Sequence, residues 1–433
     1  MSEVRIPPRR GPAVWRRWAV LALLARVSPV VRLLVATGLA FNVGFYLVLP
    51  FLAVHLTGDL GLSGAFVGLV LGLRMYSQQG LFFLGGALAD RFGTRPVALA
   101  GIGVRVVGFG GLAVAQGAAV VLVGVVLTGV AAALFTPAIE AELARQTIRD
   151  EQTSGVARTD VFALWSVCSE LGALAGPALG ALLIALGATF PVVCAVAAAV
   201  FVLILLAHWR LLPGQPPGSR GVALAAGWRD VLANRRFLAF AVAFSGYLTV
   251  YNQLYLALPL ELGRRGVDPS AVGWLFTLAG ALVVAGQLPV TRWSQRSLGT
   301  LGSLVAGFVA LAVAAVVTAV GVSAVPERVL LVAAALVVLL TVGQMLVLPA
   351  GREAVLLLSG EAHLGTYLGA LASIGAIGVL VCSMLVGQIF ATTDAAVPWL
   401  VIAAFPAAGV VGFLMLGPAL RGLDSIDEAR STT

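Results

Sequence analysis

The chain contains no lysine, so all 27 basic residues among its 433 are arginines. A GxxxxGK[ST] phosphate-binding loop is therefore impossible, and with it an ATP-driven pump of the P-loop kind. A Schiff base to retinal or pyridoxal phosphate is excluded too, because it needs a lysine amine. Charge of either sign is scarce, at 11% of residues against about 25% in soluble domains. There are only three cysteines, Cys168, Cys194 and Cys382, and all fall inside apolar runs, where they serve as small apolar residues. The three histidines, His55, His208 and His363, stand far apart at the ends of such runs. No metal site is readable from either set, and no cofactor is implied.

What the sequence has instead is apolar surface. Sixty per cent of residues are hydrophobic, and the charges are confined to short spacers between long apolar runs. That pattern describes an integral membrane protein whose first partner is the lipid bilayer. The net charge of +8 does not indicate nucleic acid, because the arginines lie in separate loops and form no contiguous basic face.

About 20 apolar residues cross a bilayer. By that length the sequence predicts twelve spans, over 32–56, 64–89, 97–116, 119–142, 160–186, 189–208, 237–260, 270–291, 299–322, 328–350, 366–390 and 397–417. An arginine-rich arm, 1–31, precedes the first run, which is too long and too far along the chain for a cleaved signal peptide. It is expected to be a retained first helix. Arg91 and Arg95, Arg145, Arg149 and Arg158, five arginines between Arg210 and Arg236, Arg292 and Arg296, and Arg352 all fall on alternate loops. The opposite loops carry only Arg264, Arg265 and Arg328. The positive-inside rule then places both termini, including the tail 418–433, in the cytoplasm.

The longest internal spacer, 209–236, opens with a flexible Pro/Gly stretch and continues as an amphipathic segment suited to the membrane surface. It separates two six-span halves, 32–208 and 237–417. Leu47-Val-Leu-Pro50 repeats as Leu256-Ala-Leu-Pro259, and Thr136-Pro137-Ala138 as Leu348-Pro349-Ala350. The expected fold is an all-α, twelve-helix membrane protein of two pseudo-symmetric halves that rock about a site near the midplane.

Two motifs sharpen this. After the second span comes Gly86-Ala-Leu-Ala-Asp90-Arg91-Phe-Gly93-Thr-Arg95, in which glycine permits close helix approach and a tight turn while Asp90 and Arg91 can pair across a gate. It resembles the GxLADRxGxR loop signature of the major facilitator superfamily, with Thr94 standing where a basic residue is common. The fifth span carries Gly172-Ala-Leu-Ala-Gly176-Pro177-Ala-Leu-Gly180, whose glycines make a smooth face for close packing. It is similar to the GxxxGPxxG signature of drug:proton antiporters in the same superfamily. The stretch from Gly68 to Gly80 and Pro349-Ala-Gly-Arg352-Glu353 add a likeness to twelve-span multidrug-resistance facilitators of bacterial inner membranes. One departure is Val125, where many such antiporters place an arginine.

A charge at a helix centre costs about 2.5–3.5 kcal/mol on insertion scales, so each one inside a span needs a reason. Arg74 falls in the second span, with Ser77 and Gln78 on its face, Arg105 in the third, and Glu170 in the fifth. Two readings stay open: a structural Arg–Glu bridge within the first half, or a carboxylate that exchanges protons beside an arginine. Arg352 and Glu353, near the end of the tenth span, form either a gate pair or interfacial charge. Tyr247, Tyr251 and Tyr255 recur at i+4 spacing, and Asn42, Gln78, Gln287 and Gln344 are polar groups within apolar runs. These are candidates for a substrate cavity, with helix packing as the alternative.

The resemblance implies a monomeric exporter of small amphipathic or drug-like compounds in the bacterial cytoplasmic membrane. The proton gradient would be its energy source, and Glu170, Arg74, Arg105, Arg352 and Glu353 would be the coupling candidates. A proton-coupled transporter of a sugar, amino acid or other metabolite shares the fold and the Asp90 signature. An enzyme is not indicated, since no HExxH, Ser/His or paired-Asp pattern appears.

Overall fold

The computed structural model describes residues 26–156, 158–214, 224–359, 364–393 and 396–431. Most of the 1–31 arm and the Pro/Gly stretch of the 209–236 spacer lie outside the described residues, as do the side chains of the 418–433 tail. Among those described, all regular structure is helical. Eleven helices are long and apolar enough to cross a bilayer: Pro29–Asp59, Thr94–Ala113, Ala118–Thr153, Asp160–Ala185, Phe190–Leu211, Arg235–Arg264, Ser270–Ser297, Gly299–Ala324, Pro326–Ser359, Gly365–Thr392 and Ala396–Gly417.

The twelfth crossing is the predicted second span, which is built from consecutive pieces: Gly64–Met75, a π-helical turn Tyr76–Gly80, and Phe82–Phe92. Around the widened turn, the Ser77 hydroxyl donates to the Arg74 carbonyl at 2.9 Å. Such local widening re-aims side chains and recurs at functional sites. All twelve expected spans are thus present as helical crossings, several of them running past the apolar core. The last helix continues to Ser431.

The sequence repeats mark equivalent structural positions. The first span stops at Tyr46 and restarts as Leu49–Val54, with Pro50 in the opening turn. The seventh stops at Tyr251, passes through a 3-10 turn and restarts as Ala257–Arg264, with Pro259 in the opening turn. Proline is tolerated there because the first amides of a helix lack intrahelical acceptors. Pro137 and Pro349 sit instead inside unbroken helices, Ala118–Ser154 and Val329–Ser359. The two halves share this geometry, which is their pseudo-symmetry.

Large apolar residues cover the outside, among them Val107, Leu203, Val242, Leu331 and Met415. In a helical bundle of this composition they form the lipid-facing belt. The closest packing between halves lies toward the face with few arginines. There Gly64, Gly68 and Gly72 of span two meet the backbone of Gly387, Ser383 and Leu380 in span eleven. A Cβ on Gly280 of span eight would stand 3.0 Å from Leu174 Cα of span five, and one on Gly273 would stand 2.8 Å from the Pro177 carbonyl. On the opposite face the surface helix Leu224–Ala233 is tied to the second half, where Tyr367 donates to Asp230 at 3.0 Å.

Candidate functional site

The polar residues of the first half converge on one cavity. Spans one to five surround a space of about 250 Å³ whose lining includes Asn42, Gln78, Arg105, Tyr46, Trp165 and Ser169. Phe41 and Phe135 stack on one another in its wall, centroids 4.3 Å apart. Asn42 is held by donation to the Gly38 carbonyl at 2.8 Å. Gln78 is held by Arg74, whose Nη1 donates to Oε1 at 3.0 Å. Asn42 and Gln78, read as cavity candidates, therefore share one wall.

Both arginines are deeply buried, Arg105 at 1% exposure and Arg74 at 3%. The Arg105 guanidinium is caged by rings, 4.2 Å from the Phe41 centroid, 4.8 Å from Phe45 and 5.2 Å from Phe201. Arg74 approaches Phe45 from 5.6 Å and Tyr255, of the second half, from 5.9 Å. A desolvated cation–π contact is worth about 2 kcal/mol, which offsets much of the cost of burying the charge. Among the described residues, Arg105 Nε and Nη1 and Arg74 Nε have no hydrogen-bond partner.

Glu170 does not make the bridge to Arg74 or Arg105 that the sequence had allowed. One residue along a helix is a rotation of about 100°, and that rotation decides the matter. Ser169 faces the cavity, while Glu170 is exposed and close enough to act electrostatically on Tyr46 and on Tyr251 of the opposite half. It sits at the boundary between halves. Its helix touches both: Gly172, Gly176 and Gly180 press on Leu39, Val43 and Leu47 of span one, and Pro177 and Leu174 meet span eight.

The loop signature divides into separate tasks. Gly93 has φ 89° between spans two and three, a conformation that only glycine adopts at low cost. Gly86 is not the close-approach glycine that was expected, since nothing lies within 4 Å of a Cβ built there. Its neighbour Gly85 has that role, against the Ala133 carbonyl and with Pro137 Cγ at 2.8 Å. Gly85→Ala is therefore expected to reduce transport by about tenfold or more while Gly86→Ala leaves it near wild type, read as vesicle uptake at matched expression; equal effects would refute the assignment.

Arg91 lies over the Phe92 ring at 5.3 Å, and Arg95 donates to the Trp209 carbonyl at 2.7 Å, joining spans three and six. The Asp90 side chain lies outside the described residues. Thr94, the departure from the family pattern, donates to the buried Glu142 carboxylate at 2.8 Å. Gln146 and Arg145 contact the same carboxylate at 2.7 and 3.1 Å.

In the second half, Tyr247 and Tyr251 lie 5.8 Å apart between centroids. Gln287 is taken up in packing, donating to Thr291 at 2.9 Å and to the Met345 carbonyl at 3.3 Å. It does not join the cavity. Gln344 is half-buried on span ten, and its Oε1 has no partner. Arg352 and Glu353 are both exposed and do not bridge one another; Arg352 acts electrostatically on Tyr247 and on Glu140, the latter across the halves on span four.

Trp165, Ser169, Tyr46 and the Phe41/Phe45 pair were missed as site residues. Their signal was faint: aromatic residues at i+4 spacing beside Asn42, and Ser169 one turn after Trp165.

Two six-helix halves packed through opposed glycines, with a polar cavity beside their boundary, define a transporter bundle. The chain belongs to the Major Facilitator Superfamily, whose family model matches residues 34–381. An MFS-type transporter of Mycobacterium tuberculosis is 37% identical over 366 residues, 83% of this chain and 85% of the relative. The multidrug resistance protein MdtH of Aeromonas hydrophila is 34% identical over 264 residues, 61% of this chain and 64% of the relative. MdtH of Salmonella typhimurium is 28% identical over 375 residues, 86% and 88% of the two chains. Among solved structures, a POT family transporter in complex with 5-aminolevulinic acid superposes with a TM-score of 0.75 at 12% identity, covering 92% of this chain and 99% of that one. At that identity the likeness is one of fold alone.

Proposed function

We propose that this transporter exports small amphipathic compounds across the bacterial cytoplasmic membrane by alternating access, driven by inward proton flow. The observation that carries the reading is the position of Glu170. It is an ionisable group on the span that packs against both halves, so a change in its charge acts directly on their relative position. The relatives named multidrug resistance proteins support the cargo class. So does a cavity that sets aromatic rings (Phe41, Phe45, Phe135) beside polar groups (Asn42, Gln78, Arg105), which suits a ligand with both an apolar body and a polar end.

The halves pack most closely at the arginine-poor face, which the positive-inside rule places outside. The conformer is then the cytoplasm-facing one, ready to load. Arg352 and Glu140 flank the open side from opposite halves and would approach as it closes. Each chain would form its own pathway and work as a monomer on small molecules and protons, as a transporter and not an enzyme.

Everted membrane vesicles test this directly. Energised vesicles carrying the protein should accumulate an amphipathic dye and lose it on adding an uncoupler. Accumulation by right-side-out vesicles instead, or indifference to the uncoupler, would overturn the direction or the coupling respectively.

A further inference from the structure

Arg105 and Arg74 pose a problem that the proposed coupling leaves unsolved. Two guanidiniums, each in the other's field, are buried in one neighbourhood. Among the described residues no carboxylate bridges either of them. Arg74 has one acceptor, the neutral Gln78 amide, and Arg105 has rings alone. Unpaired buried charge is strongly unfavourable unless its hydrogen-bonding groups find an acceptor.

The unpartnered groups around this cavity are mostly donors. Arg105 Nε and Nη1 and the Trp165 indole Nε1–H are all buried without an acceptor, alongside the Ser169 hydroxyl. Arg105, Trp165 and Ser169 line the same space of about 250 Å³ as Asn42 and Gln78. Its remaining walls include Phe41, Phe45 and Phe135. A cationic ligand would meet the Arg105 charge, with Arg74 behind Gln78, and no acidic side chain among the lining residues. The complementary ligand carries a negative group on a flat apolar body.

We infer that the first-half cavity is an anion seat, in which Arg105, assisted by Arg74, binds the carboxylate or sulfonate of an aromatic amphiphile. The edges of the Phe41/Phe135 stack, with Phe45, would flank the ring while the Arg105 donors and Trp165 Nε1–H take the anionic oxygens. Charge-assisted donors on a planar guanidinium match such groups in geometry as well as sign. Ser169 brings the seat next to Glu170, so an occupied seat and the boundary carboxylate lie on adjacent residues of one helix. The inference rests on the export reading only for calling the ligand a cargo; binding is measurable without any gradient.

The test uses the full chain in lipid nanodiscs and two probes of one ring system and opposite charge, 2-naphthalenesulfonate and 2-naphthylmethylammonium. Calorimetric titration should show the sulfonate binding at least about tenfold tighter, a modest demand on a buried charge pair. Arg105→Gln should erase that preference. Gln78→Glu, which sets a carboxylate on Arg74, should weaken sulfonate binding by about tenfold while the protein remains folded, so it decides the matter if Arg105→Gln does not fold. Equal affinities, an ammonium preference, or a preference that survives in the folded variants would overturn the seat. Sulfonate binding without vesicle export would keep the seat and sink the export reading; export without the preference would do the reverse.

Discussion

Gly176→Leu is expected to abolish transport. A Cβ at that position would stand 2.8 Å from Tyr46 Cβ and 2.9 Å from the Val43 carbonyl, before any of the leucine's branches is added. Two of the three nearest atoms belong to the backbone of span one, which cannot rotate away as a side chain can. Overpacking of this kind costs about 1–3 kcal/mol where neighbours yield, and here relief requires span five to move bodily off span one. That displacement would carry Trp165 and Ser169 out of the cavity and Leu174 off Gly280 of the other half. Gly103→Leu is the matched control, because nothing lies within 4 Å of a Cβ built there. Uptake into everted vesicles, normalised to protein in the membrane, should vanish for the first and stay near wild type for the second. Normal turnover with leucine at 176 would mean that this helix face is not the working contact.

The twelve crossings were legible because a bilayer demands long apolar runs, and little else satisfies it. The second span shows the limit of that reasoning. Its run is apolar enough to be counted, yet the Arg74-to-Gly80 stretch inserts a π turn that no hydropathy pattern reveals. Arg74, Arg105, Glu170, Asn42 and Gln78 were visible as polar residues in apolar surroundings. Who meets whom was not visible, because a single residue's rotation moves Ser169 into the cavity and Glu170 out of it. Gly85 and Gly86 differ by the same rotation. The aromatic cage was hidden for another reason: a phenylalanine facing lipid and one stacked on a guanidinium look alike in sequence.

Glu170→Gln should uncouple cargo movement from the proton gradient without preventing binding. The carboxylate stands at the boundary between halves, close enough to act on Tyr46 of one and Tyr251 of the other, where gaining or losing a proton changes the charge that the two halves must accommodate. An amide fixes that position neutral, so the step that a proton would control becomes independent of it. The cavity wall is contributed by Ser169 and Trp165, so cargo contacts survive the substitution. Coupling free energies of about 1–3 kcal/mol correspond to about 5–150-fold linkage, and that factor should disappear. In proteoliposomes, movement down a cargo gradient should continue at a rate close to wild type. Accumulation against a cargo gradient, and proton release on adding cargo, should both be lost. If both persist, Glu170 serves the packing of span five alone, and the proton must be carried by a group on the open side, Glu353 first among them.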